Sequence, residues 1–322
     1  MPGKLQFEQK VAALEALRQA PAEARIDSLR KALANKNNFI AAKAADLIRE
    51  FNLQELTPDL LKAFNRFFEN AEKSDPQCWA KNAISRTLAA FELQEPEVFL
   101  RGMRHIQLEP VWGGQSDTAG TLRATCALAL VQCGRLPESD VLAHLVDLLA
   151  DKDKTVRAEV VRAIDQMGSS AASLLLRLRA TLANDEPEVL GACYSGVLHI
   201  DGVVAIPWVA GFLSTADEAA GEAALAIAGT HALEALEPLR HALENSRDPW
   251  FRSVLLSAIA LIRQEPAINF LLELVKSESL NAEAAIEAIM RSAPSEEVMQ
   301  RLKDLTSENP RLAHVVMERQ RS

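Results

Sequence analysis

The chain has 322 residues, 48% of them apolar and 25% charged, which is ample material for a core and rules out a disordered chain. A net charge of −9 argues against nucleic acid as the partner, and four scattered cysteines (Cys78, Cys126, Cys133, Cys193) do not make a disulfide framework. The first ten residues are polar and no run of about 18 apolar residues is evident, so the expectation is a cytoplasmic chain with no signal peptide and no membrane span.

Alanine and leucine dominate, both strong helix formers. In chain order, a helix over about 4–20 comes first. First helices are then predicted over about 25–34, 58–72, 96–106, 139–150, 171–183, 203–213, 233–244 and 266–276. Each precedes a second helix whose apolar stripe begins at residue 40, 80, 122, 156, 189, 219, 251 or 282. The spacings fall from 40 and 42 to between 30 and 34, a period in the range of helical repeats. The clearest unit is 139–168, where Leu142, Leu145, Val146 and Leu149 are followed by a polar break and then by Val156, Val160, Ala163, Ile164 and Met167. Gly168 then suits a left-handed cap. Several first helices open with proline (Pro58, Pro96, Pro266, Pro294), tolerated in a first turn, whereas Pro207 and Pro238 lie deeper and should bend theirs. A last helix over about 310–319 closes the chain.

The turns carry a second pattern. An acidic residue is followed six later by a basic one near the start of the second helix: Asp75/Lys81, Asp117/Arg123 and Asp151/Arg157, with Ser246/Arg252 in part beside Asp248. With Leu148-Leu149-Ala150-Asp151-Lys152-Asp153-Lys154-Thr155-Val156-Arg157, this resembles the HEAT-repeat family in its short bacterial, phycobilisome-lyase-type form. The pattern lapses at Leu190, Ala220 and Glu283. The resemblance implies an all-α fold, a right-handed α-α superhelix of about eight helix pairs, in one continuous domain over 1–322. Within it, 1–24 is an N-terminal cap, 25–291 the repeats and 292–322 a C-terminal cap. Physically, the aspartate suits the unpaired N–H groups of the second helix, and the arginine can bridge to a neighbouring turn as a structural ladder.

Chemistry is sparse. The six histidines form no metal-binding pair, although His231 and His241 straddle one turn. No His-Glu dipeptide occurs, unlike the HEAT-like deoxyhypusine hydroxylases. Cys126 and Cys133 share a helix face two turns apart, too far for a disulfide. Gly113-Gly114 lacks the residues of a phosphate loop. No catalytic residue, metal or cofactor is expected.

The negative charge is concentrated. Residues 183–248 carry 11 acidic side chains against Arg240 and Arg247, and no lysine or arginine occurs from Asn184 to Leu239. The acids gather at turns: Asp185, Glu186 and Glu188, then Asp217, Glu218 and Glu222, then Glu234 and Glu237. This is either a solvated edge or a surface for a basic protein or peptide. The connection Gln107–Gly120 is unusually long and holds Trp112, Gly113 and Gly114, residues placed either to bind a partner or to fold back over a seam. Phe64, Phe67 and Phe68 read as core, and Trp250 as an anchor for a helix's first turn.

The function expected is therefore a non-catalytic protein-binding scaffold. Alternatives are a bilin-lyase-like accessory enzyme, and nucleic-acid binding through the N-terminal repeats. Oligomeric state is left open.

Overall fold

A computed structural model describes residues 2–277 and 279–320, with side chains from residue 7 onward. The last two residues of the expected C-terminal cap lie outside the described residues. The chain divides into two compact units, Met1–Gln166 and Met167–Ser322.

The first unit contains α1 (Pro2–Ala16), α2 (Ala22–Leu33), α3 (Asn38–Glu50), α4 (Thr57–Arg66), α5 (Ala71–Ser74), α6 (Trp79–Ala90) and α7 (Pro96–Met103). Strands β1 (Leu108–Val111) and β2 (Gly114–Asp117) follow, then α8 (Gly120–Gln132), α9 (Glu138–Leu149) and α10 (Lys154–Met167). Each first helix lies against its own second helix, α2 on α3, α4 on α6 and α7 on α8. The second helices also pack side by side, α3 on α6 and α6 on α8. Small residues allow this closeness. In α3, Ala41, Ala44 and Ala45 are buried with Ile40, Leu47 and Ile48, so the helix is apolar over a wide arc and meets neighbours on two sides. Asn37 starts it, its Oδ1 accepting from Ile40 N at 3.1 Å.

The second unit contains α11 (Ser170–Leu182), α12 (Pro187–Asp201), α13 (Ile206–Ala210), α14 (Glu218–Gly229), α15 (Leu236–Asn245), α16 (Pro249–Ile262), α17 (Glu265–Lys276), α18 (Ala282–Arg291), α19 (Glu296–Thr306) and α20 (Pro310–Gln320). The row α12, α14, α16, α18, α20 packs neighbour to neighbour; α11, α13, α15 and α19 lie on α12, α14, α16 and α20, and α17 lies on both α18 and α16. Two glycines set the closest approaches. A Cβ on Gly191 of α12 would sit 2.6 Å from Glu222 Oε2, and one on Gly221 of α14 would sit 3.1 Å from the Trp250 ring.

The protein is thus all-α in its packing, built from helix pairs. The helices that match the eight expected second helices start at Asn38, Trp79, Gly120, Lys154, Pro187, Glu218, Pro249 and Ala282, each within two residues of the apolar position that marks it in the sequence. Departures from expectation have local causes. The helix predicted over 58–72 breaks after Arg66, and only the single turn α5 follows. Pro207 and Pro238 do not lie deep in their helices: each sits near the start of a short α-helix, where the expected longer helix is split by 3-10 turns at Gly202–Ala205, Gly211–Thr215 and Leu233–Ala235. Pro294 lies just before Ser295, whose hydroxyl caps α19 by accepting from Val298 N.

The helical stretch Pro187–Thr215, 29 residues, is by length and composition alone long and apolar enough to cross a membrane, with an 18-residue window of mean hydropathy 1.6. More than half of that window is buried inside the protein. The stretch is also interrupted at Gly202, whose φ of +70° ends α12, as befits a core segment.

Candidate interaction surfaces

The long connection after α7 is a two-stranded antiparallel hairpin, with Leu108 opposite Asp117 and Val111 opposite Gly114. Trp112 and Gly113 form the two-residue turn between them, and Gly113 has φ +88°, where a side chain would be strained. Trp112 is fully exposed (103%), and Ile106, Leu108 and Val111 are exposed around it. It does not fold back over a seam.

The hairpin's base is fixed by polar contacts. Asp117 Oδ1 accepts from Gln107 N and Ala119 N, both at 3.0 Å, and Thr118 N donates to Gln107 O at 2.9 Å. Glu109 Oε1 accepts from Gln77 N at 2.7 Å and from Thr118 Oγ1 at 3.0 Å. Gln107 reaches inward, its Nε2 donating to Asp75 O at 2.9 Å and its Oε1 accepting from Cys78 Sγ at 3.3 Å. Burial pushes the Asp117 and Glu109 carboxyls up, but these donors outweigh it, aided at Asp117 by the Arg123 guanidinium; both groups are held below their ordinary range. Burial lowers the His105 pKa and raises that of the Cys78 thiol to about 11.

The acid–base pairs of the turns take three different forms. Asp75 and Lys81 make a fully buried ion pair at 3.0 Å. Asp75 also accepts from Ala80 N, Lys81 N and Asn38 Nδ2, while Lys81 Nζ donates to Phe67 O at 3.1 Å. Arg123 bridges two turns. It donates to Asp117 Oδ2 at 2.6 Å in its own turn, and through Nε and Nη2 to both oxygens of Asp151 in the next, at 2.7 and 3.0 Å. Arg252 repeats this reach in the second unit, but onto Asn281 Oδ1, and it also binds the Leu243 carbonyl. Arg157 donates to the carbonyls of Asp151 and Lys152.

The acidic segment divides by role. Asp185 departs from its candidate role as a binding residue: its side chain is buried and ion-paired with Arg179. Asp217 is exposed but caps α14, with Oδ1 accepting from Ala220 N at 2.9 Å. Glu186, Glu188 and Glu218 are exposed. Glu222 is half-buried on the face of α14 that meets α12, and burial, then the charge of Glu188, raises its pKa. It lines a groove of ≈ 510 Å³ between α12 and α14, with Ser195, His199, Val203 and Leu225. A larger groove of ≈ 940 Å³ lies across α13 and α15, walled by Pro207, Leu213, Pro238, His241 and Phe251.

Phe64 and Phe67 are buried, whereas Phe68 is only partly so and packs against His105 and the Arg101 guanidinium. Trp250 lies across Gly221, half-exposed, and stacks on buried Phe251. His231 Nδ1 contacts Leu261 O and His241 contacts Asn245, so the two do not share a site. No cluster of metal-binding side chains occurs among the described residues.

Sequence reasoning missed one surface altogether, the outer side of α11. Leu174, Leu178 and Leu182 are exposed there, and their spacing of four was a signal that could have found it.

No protein-family model matches this chain, and no curated protein matches it.

Proposed function

We propose that this protein is a non-catalytic interaction scaffold of the HEAT-repeat type, its helix pairs stacked as a right-handed superhelix, and that it binds a basic protein or peptide. The observation that carries the reading is electrostatic. The groove between α12 and α14 holds Glu222, whose ionisation is opposed by burial and by Glu188, within a stretch that has no lysine or arginine from Asn184 to Leu239. A cationic side chain entering this groove lowers the cost of ionising Glu222 and gains its attraction, so recognition rests on charge complementarity. The apolar flanks of the groove, Val203 and Leu225, suit the methylene stem of a lysine or arginine. The exposed Trp112 hairpin is a second contact point in the same reading, since a tryptophan is the residue type most often found at binding hot spots.

The test is fluorescence anisotropy with a labelled Lys/Arg-rich peptide against a scrambled acidic control, at two salt concentrations. Binding is expected to weaken with salt and to be lost in a Glu188→Lys/Glu218→Lys/Glu222→Lys variant that keeps its helical circular dichroism. Asp217 is left untouched because it caps α14. Basic and acidic peptides binding alike, or a charge-reversed protein binding as before, refutes the reading.

A further inference from the structure

Helix α11 is apolar on two opposite sides. Ala172, Leu176 and Ala180 are buried against the protein, as is Ser173. On the other side Leu174, Leu178 and Leu182 are 67%, 58% and 61% exposed, with Ala171 beside them. A helix apolar all round is one that is covered all round. Two counterparts in the same layer do not share the feature: α15 turns Glu237, His241 and Glu244 outward, and α17 turns Glu265 and Glu273 outward. The only charged residues of α11 are Arg177 and Arg179. Arg177 pairs with Asp201 at 2.7 Å and lies 4.6 Å from the Trp208 ring centre, and Arg179 pairs with Asp185.

We infer that this face is a homodimer interface, in which α11 packs antiparallel on α11 of a second copy about a two-fold axis passing near Leu178. The leucines are spaced four and four, so the stripe is symmetric about its middle member. A two-fold axis there places Leu178 on its own mate, and Leu174 on Leu182 of the second copy, so every leucine meets a leucine. That is the self-complementarity an isologous interface requires. Both arginines are already neutralised within the subunit, so the two faces meet without like charges. Three leucines at this exposure present roughly 300 Å² of apolar surface, a patch size that is usually functional on a soluble protein. Doubled by symmetry and widened by Ala171, Leu175 and Thr181, the contact reaches the roughly 1,000 Å² that a specific interface needs. A basic peptide, the partner proposed for the α12–α14 groove, has nothing to pair with on this uncharged face. The two proposals therefore stand or fall separately.

The experiment is sedimentation velocity on the full chain from about 1 to 100 μM, spanning the dissociation constants usual for a contact of this size. The wild type is expected to dimerise. Leu178→Glu should be monomeric, and Leu178→Ala should raise the dissociation constant by about tenfold or more. Circular dichroism of both variants should match the wild type, because the position is exposed within the subunit, and the unfolding temperature of Leu178→Glu should lose the rise with protein concentration that a dimer shows. Cysteine cross-linking then fixes the symmetry, undisturbed by the four native thiols, which are buried. Leu178→Cys should form a disulfide-linked dimer with itself. Leu174→Cys and Leu182→Cys should do so only when mixed. A wild type that stays monomeric throughout, a dimer indifferent to Leu178→Glu, or Leu174→Cys and Leu182→Cys each linking efficiently to themselves would overturn the inference.

Discussion

Replacing Arg123 by methionine removes a guanidinium that holds three segments at once. Its side chain is only 5% exposed. It makes three bonds to carboxylates, two on Asp151 and one on Asp117, and a fourth to His105 O at 3.0 Å. Charge-assisted bonds contribute about 1.5–3 kcal/mol each in isolation, but the three share one cation and do not add. Asp117 is partly exposed and recovers water, whereas Asp151 is nearly buried and is left without its cation. The expected loss is therefore about 3–4 kcal/mol, near the cost of breaking a buried pair from one side. Arg123→Lys should lose about half as much, because one ammonium cannot span both turns. Urea unfolding followed by circular dichroism measures both. A double-mutant cycle with Asp151→Asn should return a coupling of about 1–2 kcal/mol. Acid gives an independent check. Asp117 is held below its ordinary pKa, so its contribution is complete above the unfolded value and is lost as pH falls through the folded one. The gap between wild type and Arg123→Met should accordingly narrow below about pH 4. A folded Arg123→Met that loses under about 1 kcal/mol, or a gap that widens in acid, refutes the bridging role.

Three further outcomes follow from the same geometry. Trp112→Ala should change stability by less than about 0.5 kcal/mol, since the ring is fully exposed; a clear drop in urea midpoint would mean the ring packs on the protein. Glu222→Gln should stabilise the protein by a few tenths of a kcal/mol at neutral pH. Its raised folded-state pKa means that ionisation costs stability as pH rises, so the gain should vanish in acid, which thermal unfolding at both pH values reports. The four cysteines are buried, and burial pushes the Cys78 thiol up to about 11 and the Cys193 thiol up to about 12. Thiol titration should therefore find no fast-reacting group in the native protein and four after denaturation; one fast thiol would place a cysteine at the surface.

Why some features could be read from the sequence and others could not depends on how far apart the deciding residues stand. The start of each second helix was legible because the stripe that defines it, such as Val156, Val160 and Ile164, is local and lies opposite polar residues of the same helix. The pairing of Asp75 with Lys81 was legible for the same reason, six residues apart across one turn. The bridge from Arg123 to Asp151 spans 28 residues. It was visible only as a possibility, because the spacing within one turn does not say which neighbouring turn a long guanidinium reaches. The hairpin had a local signal, the glycine after Trp112 at positive φ, but a two-residue turn inside a helical repeat competes with the reading of a longer loop.

The acidic segment shows the same limit at the level of function. Composition treats Asp185, Asp217 and Glu222 as equals, since each adds one negative charge to a stretch without cations. Structure separates them by what they already hold. Asp185 is paired with an arginine that precedes the cation-free stretch, and Asp217 carries the N-terminus of α14. Glu222 alone of the three lies half-buried against a second carboxylate on the neighbouring helix. A cation gains most where burial and a neighbouring like charge oppose ionisation, so Glu222 outranks the more numerous acids at the turns. Charge reversal at Glu222 and Glu188 alone should therefore weaken a basic peptide more than reversal at Glu234 and Glu237, although both pairs change the net charge equally. Equal losses would mean that the peptide senses only the overall field of the segment and not this groove.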